Sequence, residues 1–152
     1  MMKEIRKTQI EEWQQIWDET AKTVGTGYHN MFPKVSIKGT RRNIQDRKLA
    51  VRYTRLRTGH SLNRAYLYKI GQIMSPNCPE CLEIETVEHL LLQCPKTQEA
   101  RLPLQKWLKS KKIPLTLEII LGEQKNVGNT SKTSIQKQIL KYIQHLPIFP
   151  IP

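Results

Sequence analysis

The chain has 152 residues and a formal net charge of +12, with 38% hydrophobic and 25% charged residues. That length suffices for one domain with a real core, and the composition is that of a soluble protein. No apolar run approaches the roughly 20 residues that a membrane span requires, and the first residues, MMKEIRKTQIEEWQQIW, lack the apolar stretch of a secretory signal.

Residues 3–23 read as a helix, because Ile10, Trp13, Ile16 and Trp17 recur at the spacing of one apolar face. Residues 24–40 hold three glycines and a proline and read as an irregular connector. A second helix is expected over 41–57, with Gly59 as its C-terminal cap. A third spans 62–73, capped by Ser61 and apolar along Leu62, Tyr66, Leu67 and Ile70. After the turn Ser75-Pro76-Asn77, a short helix covers 85–93 and is ended by Pro95. Residues 97–109 form another, anchored by Leu104, Trp107 and Leu108, and 115–121 supply one or two helical turns before Gly122. A polar loop over 123–133 leads to a last helix, 134–145, and to the proline-rich tail PIFPIP. No strand alternation stands out. The expectation is an all-α, small multi-helix fold with one embedded Cys₃His zinc knuckle. Its segments are an amphipathic helix (1–24), basic helices plus knuckle (41–109, knuckle 78–94) and C-terminal helices with the tail (110–152), joined in one compact domain.

The charge is unevenly placed. Residues 34–69 carry eleven Lys and Arg against one acid, Asp46, whereas residues 78–99 carry five Glu against Lys96. With no secretory signal the chain is expected to stay inside the cell, in the nucleus, and a localised basic block on such a chain points to a polyanion partner, RNA and/or DNA. The competing reading is a solvated helix face that only aids solubility. At 100° per residue, Arg41, Lys48, Arg52 and Arg55 fall within an arc of about 60°, beside a separate stripe of Leu49, Tyr53 and Leu56. These four cations are the candidate nucleic-acid contacts.

All three cysteines lie within 17 residues and share that stretch with a histidine, in the order Cys78-x2-Cys81-x7-His89-x4-Cys94. An odd count in one cluster argues for a metal over an internal disulfide. Cys₃His is a closed structural set for Zn²⁺: the first pair clasps the ion from a tight turn, and the following helix supplies the other two ligands. Four protein ligands leave no open position for catalysis. Glu83, Glu85 and Glu88 are candidates to orient the imidazole from behind. His60 lies close enough in sequence to pack against the knuckle or to compete for the metal, although a structural role at a helix boundary suits it better. No catalytic residues are expected: the chain shows no P-loop, no paired acids for two-metal phosphoryl transfer and no nucleophile elbow.

The run from Arg55 to Arg101 resembles the C-terminal region of LINE-type (non-LTR) retrotransposon reverse transcriptases, jockey-like or I-element-like. The resemblance is carried by Thr58-Gly59-His60, Leu62, Cys78-Pro79-x-Cys81, Glu85-Thr86-x-Glu88-His89, Cys94-Pro95 and Arg101. It implies a zinc-binding tail that follows polymerase and ribonuclease H domains and helps grip the RNA template or target DNA. The chain itself has neither polymerase motifs nor ribonuclease H acids, so it is not expected to be an enzyme. The alternative is a structural domain that docks on the polymerase or ribonuclease H domain without touching nucleic acid.

Overall fold

The apolar spacing along the chain yields helices and, among the described residues, no strand. The computed structural model describes residues 2–35, 44–122, 124, 127 and 130–147. The expected all-α fold is what forms. The chain comprises two compact units, Met1–Asn43 and Ile44–Pro152. No helix of the described residues is long and apolar enough to cross a membrane.

The first unit holds α1 (Met2–Thr20) and α2 (Thr26–Met31). Gly25, at φ 73°, takes the left-handed turn between them. Trp17 is the anchor. Its indole N–H donates to the Phe32 carbonyl at 3.0 Å, and its ring meets Tyr28 edge-on at 6.0 Å. Gln14 adds a clasp, donating to the Pro33 carbonyl and accepting from the Val35 amide. The six residues of α2 cover only this end of the α1 face, so Trp13 and Ile16 remain 47% and 65% exposed. The apolar stripe read from the sequence is therefore only partly a core face.

In the second unit, α3 runs Arg47–Thr58. It starts later than residue 41 because Asp46 caps it, accepting from the Leu49 amide at 3.1 Å. Gly59, at φ 77°, ends it as expected. Helix α4 (Arg64–Lys69) is capped by Asn63, which accepts from the Tyr66 amide, whereas Ser61 is buried and accepts from the Asn63 amide group. The shift of cap removes the first residues of the expected 62–73 helix, Gly71 in the left-handed region at φ 72° ends it early, and Ile70 is exposed.

Helices α5 (Gln98–Ser110), α6 (Leu117–Ile120) and α7 (Lys132–His145) complete the unit. Helix α7 packs against both α3 and α5. Ile135, Ile139, Tyr142 and Ile143 form its buried face, opposed by Leu104 and Leu108 of α5 and Tyr53 and Leu56 of α3. The Tyr53 hydroxyl lies 3.2 Å from the carbonyls of Ile120 and Leu121, tying α6 to α3. Gly122 follows where a Cβ would stand 2.9 Å from the Glu118 carbonyl oxygen, so only glycine fits that approach without a shift of backbone. Residues 123, 125, 126, 128 and 129 of the polar loop after it, and the tail beyond Pro147, lie outside the described residues.

Candidate metal centre

The knuckle begins as a tight reversal. The Cys78 amide donates to the Glu83 carbonyl at 2.7 Å, the Leu82 amide donates to the Cys78 carbonyl at 2.9 Å, and Asn77 and Ile84 form an isolated antiparallel bridge. Leu82 completes the turn in the left-handed region, at φ 62°. This geometry turns both thiols of the Cys78-x2-Cys81 pair to the same side.

The other two ligands depend on a local change of helix type. Thr86 opens the helix, its hydroxyl accepting from the His89 amide, and His89–Gln93 then continue as a π-helical turn. The Cys94 amide donates to the His89 carbonyl at 2.8 Å, an i+5 bond. In an α-helix, residues five apart are rotated by about 140° and face away from one another. The wider π turn brings them back toward one side, which is how a His-x4-Cys spacing serves a single ion. Pro95 stops the helix and holds Cys94 extended, at ψ 130°.

The result is a four-ligand cluster of Cys78, Cys81, His89 and Cys94, with all ligand atoms within 4.8 Å of one another. Cys78 Sγ lies 3.7 Å from Cys94 Sγ, and Cys81 Sγ lies 3.2 Å from His89 Nε2. A tetrahedral ion at ordinary metal–sulfur and metal–nitrogen distances gives edges of about 3.8 Å and 3.6 Å, so the residues present fit a metal ion with small adjustments. Burial, together with the neighbouring Cys78, pushes the Cys94 thiol up to about 11, opposed by a hydrogen bond from the Lys96 amide. Cysteine ligates a metal as the thiolate, so binding an ion here is coupled to loss of the thiol protons.

Three buried side chains that the metal spacing does not point to support the Cys94 turn. Thr97 Oγ1 donates to the Leu90 carbonyl at 2.6 Å. Arg101, 8% exposed, donates to the Cys94 carbonyl at 3.2 Å and to Thr97 Oγ1 at 3.1 Å. The Tyr142 hydroxyl donates to the Leu91 carbonyl at 2.8 Å, and burial pushes its pKa up to about 12. The signal for Arg101 was present in its position: it lies three residues before Leu104 and seven before Leu108, on the buried stripe of α5.

The carboxylates expected behind the imidazole are engaged elsewhere or exposed. Glu85 is buried and accepts from the Arg64 amide at 3.0 Å, which fastens the knuckle to the N-terminus of α4. Glu83 and Glu88 are exposed. His89 Nδ1 is buried with no hydrogen-bond partner among the described residues. His60 is not part of the ligand group. It is exposed and meets the Tyr66 ring edge-on at 5.1 Å, just beyond the α3 cap.

Of the four expected cations, the three that are described do not act as one exposed row. Lys48 and Arg55 are exposed on α3. Arg52 is half-buried and donates to the carbonyls of Ile143 and Gln144 at 3.0 and 3.3 Å, capping the C-terminus of α7. Arg41 lies outside the described residues.

No family model matches the chain, and neither the curated proteins nor the solved structures give a match.

Proposed function

We propose that the chain is a nucleic-acid-binding module stabilised by Zn²⁺, similar in role to the C-terminal tail of a non-LTR retrotransposon reverse transcriptase, and that it grips RNA template or target DNA without catalysis of its own. The observation that carries this reading is the closed Cys₃His group fastened to α4, immediately after the most cationic stretch of the chain. Zn²⁺ suits three thiolates and an imidazole better than the hard, oxygen-seeking divalent ions do. With all four positions supplied by protein, the ion is structural. It holds the knuckle and the helices beside it rigid, so that cations such as Lys48 and Arg55 meet phosphates from fixed positions. Metal analysis of the purified chain together with a salt titration of RNA and DNA binding tests it. About one equivalent of zinc, loss of helicity on chelation and a steep fall of affinity with salt are expected. Weak affinity that does not vary with salt would overturn the nucleic-acid part.

One observation favours the second reading, docking on a polymerase or ribonuclease H domain. Met74, Leu82 and Ile84 of the knuckle region are 96%, 75% and 57% exposed, flanked by the exposed acids Glu80 and Glu83. Loss of polymerase association in Leu82→Ser, with nucleic-acid affinity unchanged, would support that reading over the first.

A further inference from the structure

A groove of about 520 Å³ lies between α5 and α7, on a part of the surface that the basic block of the sequence does not reach. Its volume is that of small-ligand sites. The floor is apolar, formed by Ala100, Pro103 and Leu104 of α5 and by Tyr142 of α7. The Tyr142 hydroxyl is already occupied by the Leu91 carbonyl, so this residue contributes its ring. Cations come from both walls, Lys96 from the turn before α5 and Lys141 from α7, with His145 also on α7 and one acid, Glu99. His145 Nδ1 donates to the Lys141 carbonyl at 2.7 Å, which leaves Nε2 as its free polar atom.

We infer that this groove is a binding site for single-stranded nucleic acid, taking an unpaired base on the apolar floor and the flanking phosphates on Lys96 and Lys141. The chemistry selects this ligand in two steps. An apolar floor with opposed cations matches a flat, uncharged ring system between two negative groups. A duplex offers phosphates to the lysines but keeps its bases in the stack, so it cannot fill the floor. The site rests on the nucleic-acid reading above and sharpens it to unpaired strands and a particular pair of helices. It also ties binding to the metal centre. Cys94 and Lys96 share one turn, and the Lys96 amide hydrogen-bonds to Cys94, so the ligand cluster and the groove wall are fixed together.

The test is fluorescence anisotropy of the full, metal-loaded chain over a salt series, with a labelled oligouridylate and a labelled RNA duplex of equal length as probes. The unsubstituted chain should prefer the single strand. Lys96→Ala and Lys141→Ala should each lower the single-strand salt slope by about 0.7, the value of one lost phosphate contact. Ala100→Trp, which fills the groove, should weaken single-strand binding by about tenfold, the loss of one base contact, and leave duplex binding as it was. Metal content and thermal melting establish that each variant is folded. The two lysine variants decide the matter if the tryptophan variant fails to fold. Unchanged single-strand slopes in both lysine variants, in a chain that binds RNA, would overturn the groove site and leave the broader reading standing. Competition by polyglutamate as effective as competition by unlabelled oligouridylate would overturn the base-recognition part. Absence of salt-dependent binding by the unsubstituted chain would overturn both.

Discussion

Arg101 reaches the carbonyl oxygen of Cys94 with its guanidinium, at 3.2 Å, from inside the core of the second unit. Three thiolates around a divalent ion leave a net charge of −1, and this buried cation stands directly behind them. It also closes the carbonyl end of the π turn that aligns Cys94 with His89. Arg101→Ala removes both contributions and leaves the Cys94 carbonyl without this donor. A loss of about 1.5–3 kcal/mol in denaturant stability is expected, the range for hydrogen bonds that involve a charged group. Weaker metal retention against a chelator should accompany it. Arg101→Lys should recover only part, because an ammonium cannot span the Cys94 carbonyl and Thr97 Oγ1 in the same planar geometry. Equal metal retention in Arg101→Ala and the unsubstituted chain would show that the guanidinium has no bearing on the site.

Alkaline stability should depend on Tyr142 and, in the metal-free chain, on Cys94. Both groups are raised in the folded state, Tyr142 from 10.0 to about 12 and Cys94 from 9.0 to about 11, each chiefly by burial. A raised pKa means that the folded chain holds its proton more tightly than the unfolded chain does. The associated stability is fully present below the unfolded value and is lost as pH rises through the folded one. The metal-free chain should therefore weaken in two overlapping windows, from pH 9.0 to about 11 for Cys94 and from 10.0 to about 12 for Tyr142. Metal loading removes the first window, because the thiol is then already deprotonated and coordinated. Tyr142→Phe removes the second, at a constant cost of about 1 kcal/mol for the lost hydrogen bond to Leu91. Urea unfolding across this pH range, with and without metal, separates the two.

The ligand set was legible in the sequence because it depends on local spacing, and local spacing survives folding. The Gly59 cap and the apolar faces of α5 and α7 were legible for the same reason. What sequence left unread depends on which of two local signals wins. Ser61 and Asn63 are both good capping residues two positions apart. Asn63 takes the helix, and Ser61 is buried against it. The α3 start depended on Asp46, whose side chain caps the helix through the Leu49 amide, a local signal that the periodicity of the cations does not carry. Periodicity alone treats a cation row as surface, yet Arg52 reaches carbonyls 91 and 92 residues further on, at the end of a helix that only tertiary packing brings near. The π turn was hidden too. A His-x4-Cys spacing suggested that both residues serve one ion, but it carries no statement of the i+5 bond that allows them to.

Leu82 holds a left-handed conformation at φ 62° with its side chain 75% exposed. An L-residue in that region costs roughly 1–2 kcal/mol relative to its preferred regions, and glycine does not bear this cost. Glycine is, however, more disordered in the unfolded chain, which returns roughly 0.5–1 kcal/mol. Leu82→Gly should thus stabilise the metal-loaded chain by about 0.5–1 kcal/mol, read as a higher denaturation midpoint at unchanged slope. A destabilisation would mean that the exposed leucine side chain contributes packing that outweighs the backbone strain.

Arg52 and Arg55 sit three residues apart on α3 and should respond oppositely to removal. Arg52 is half-buried on the carbonyls of Ile143 and Gln144 and so joins α3 to the end of α7. Arg52→Ala should lower stability by about 1 kcal/mol, less than for a buried charged hydrogen bond because solvent reaches the group. Arg55 is exposed on the same helix as the exposed Lys48. Arg55→Ala should leave the denaturation midpoint where it is and reduce the salt slope of nucleic-acid binding by about 0.7–0.9, depending on whether the strand is single or paired. The double comparison separates packing from recognition. If Arg52→Ala lowers the salt slope without lowering stability, the capping geometry does not govern its role. If Arg55→Ala changes neither quantity, α3 does not meet phosphate, and recognition falls to the other cationic surfaces of the chain.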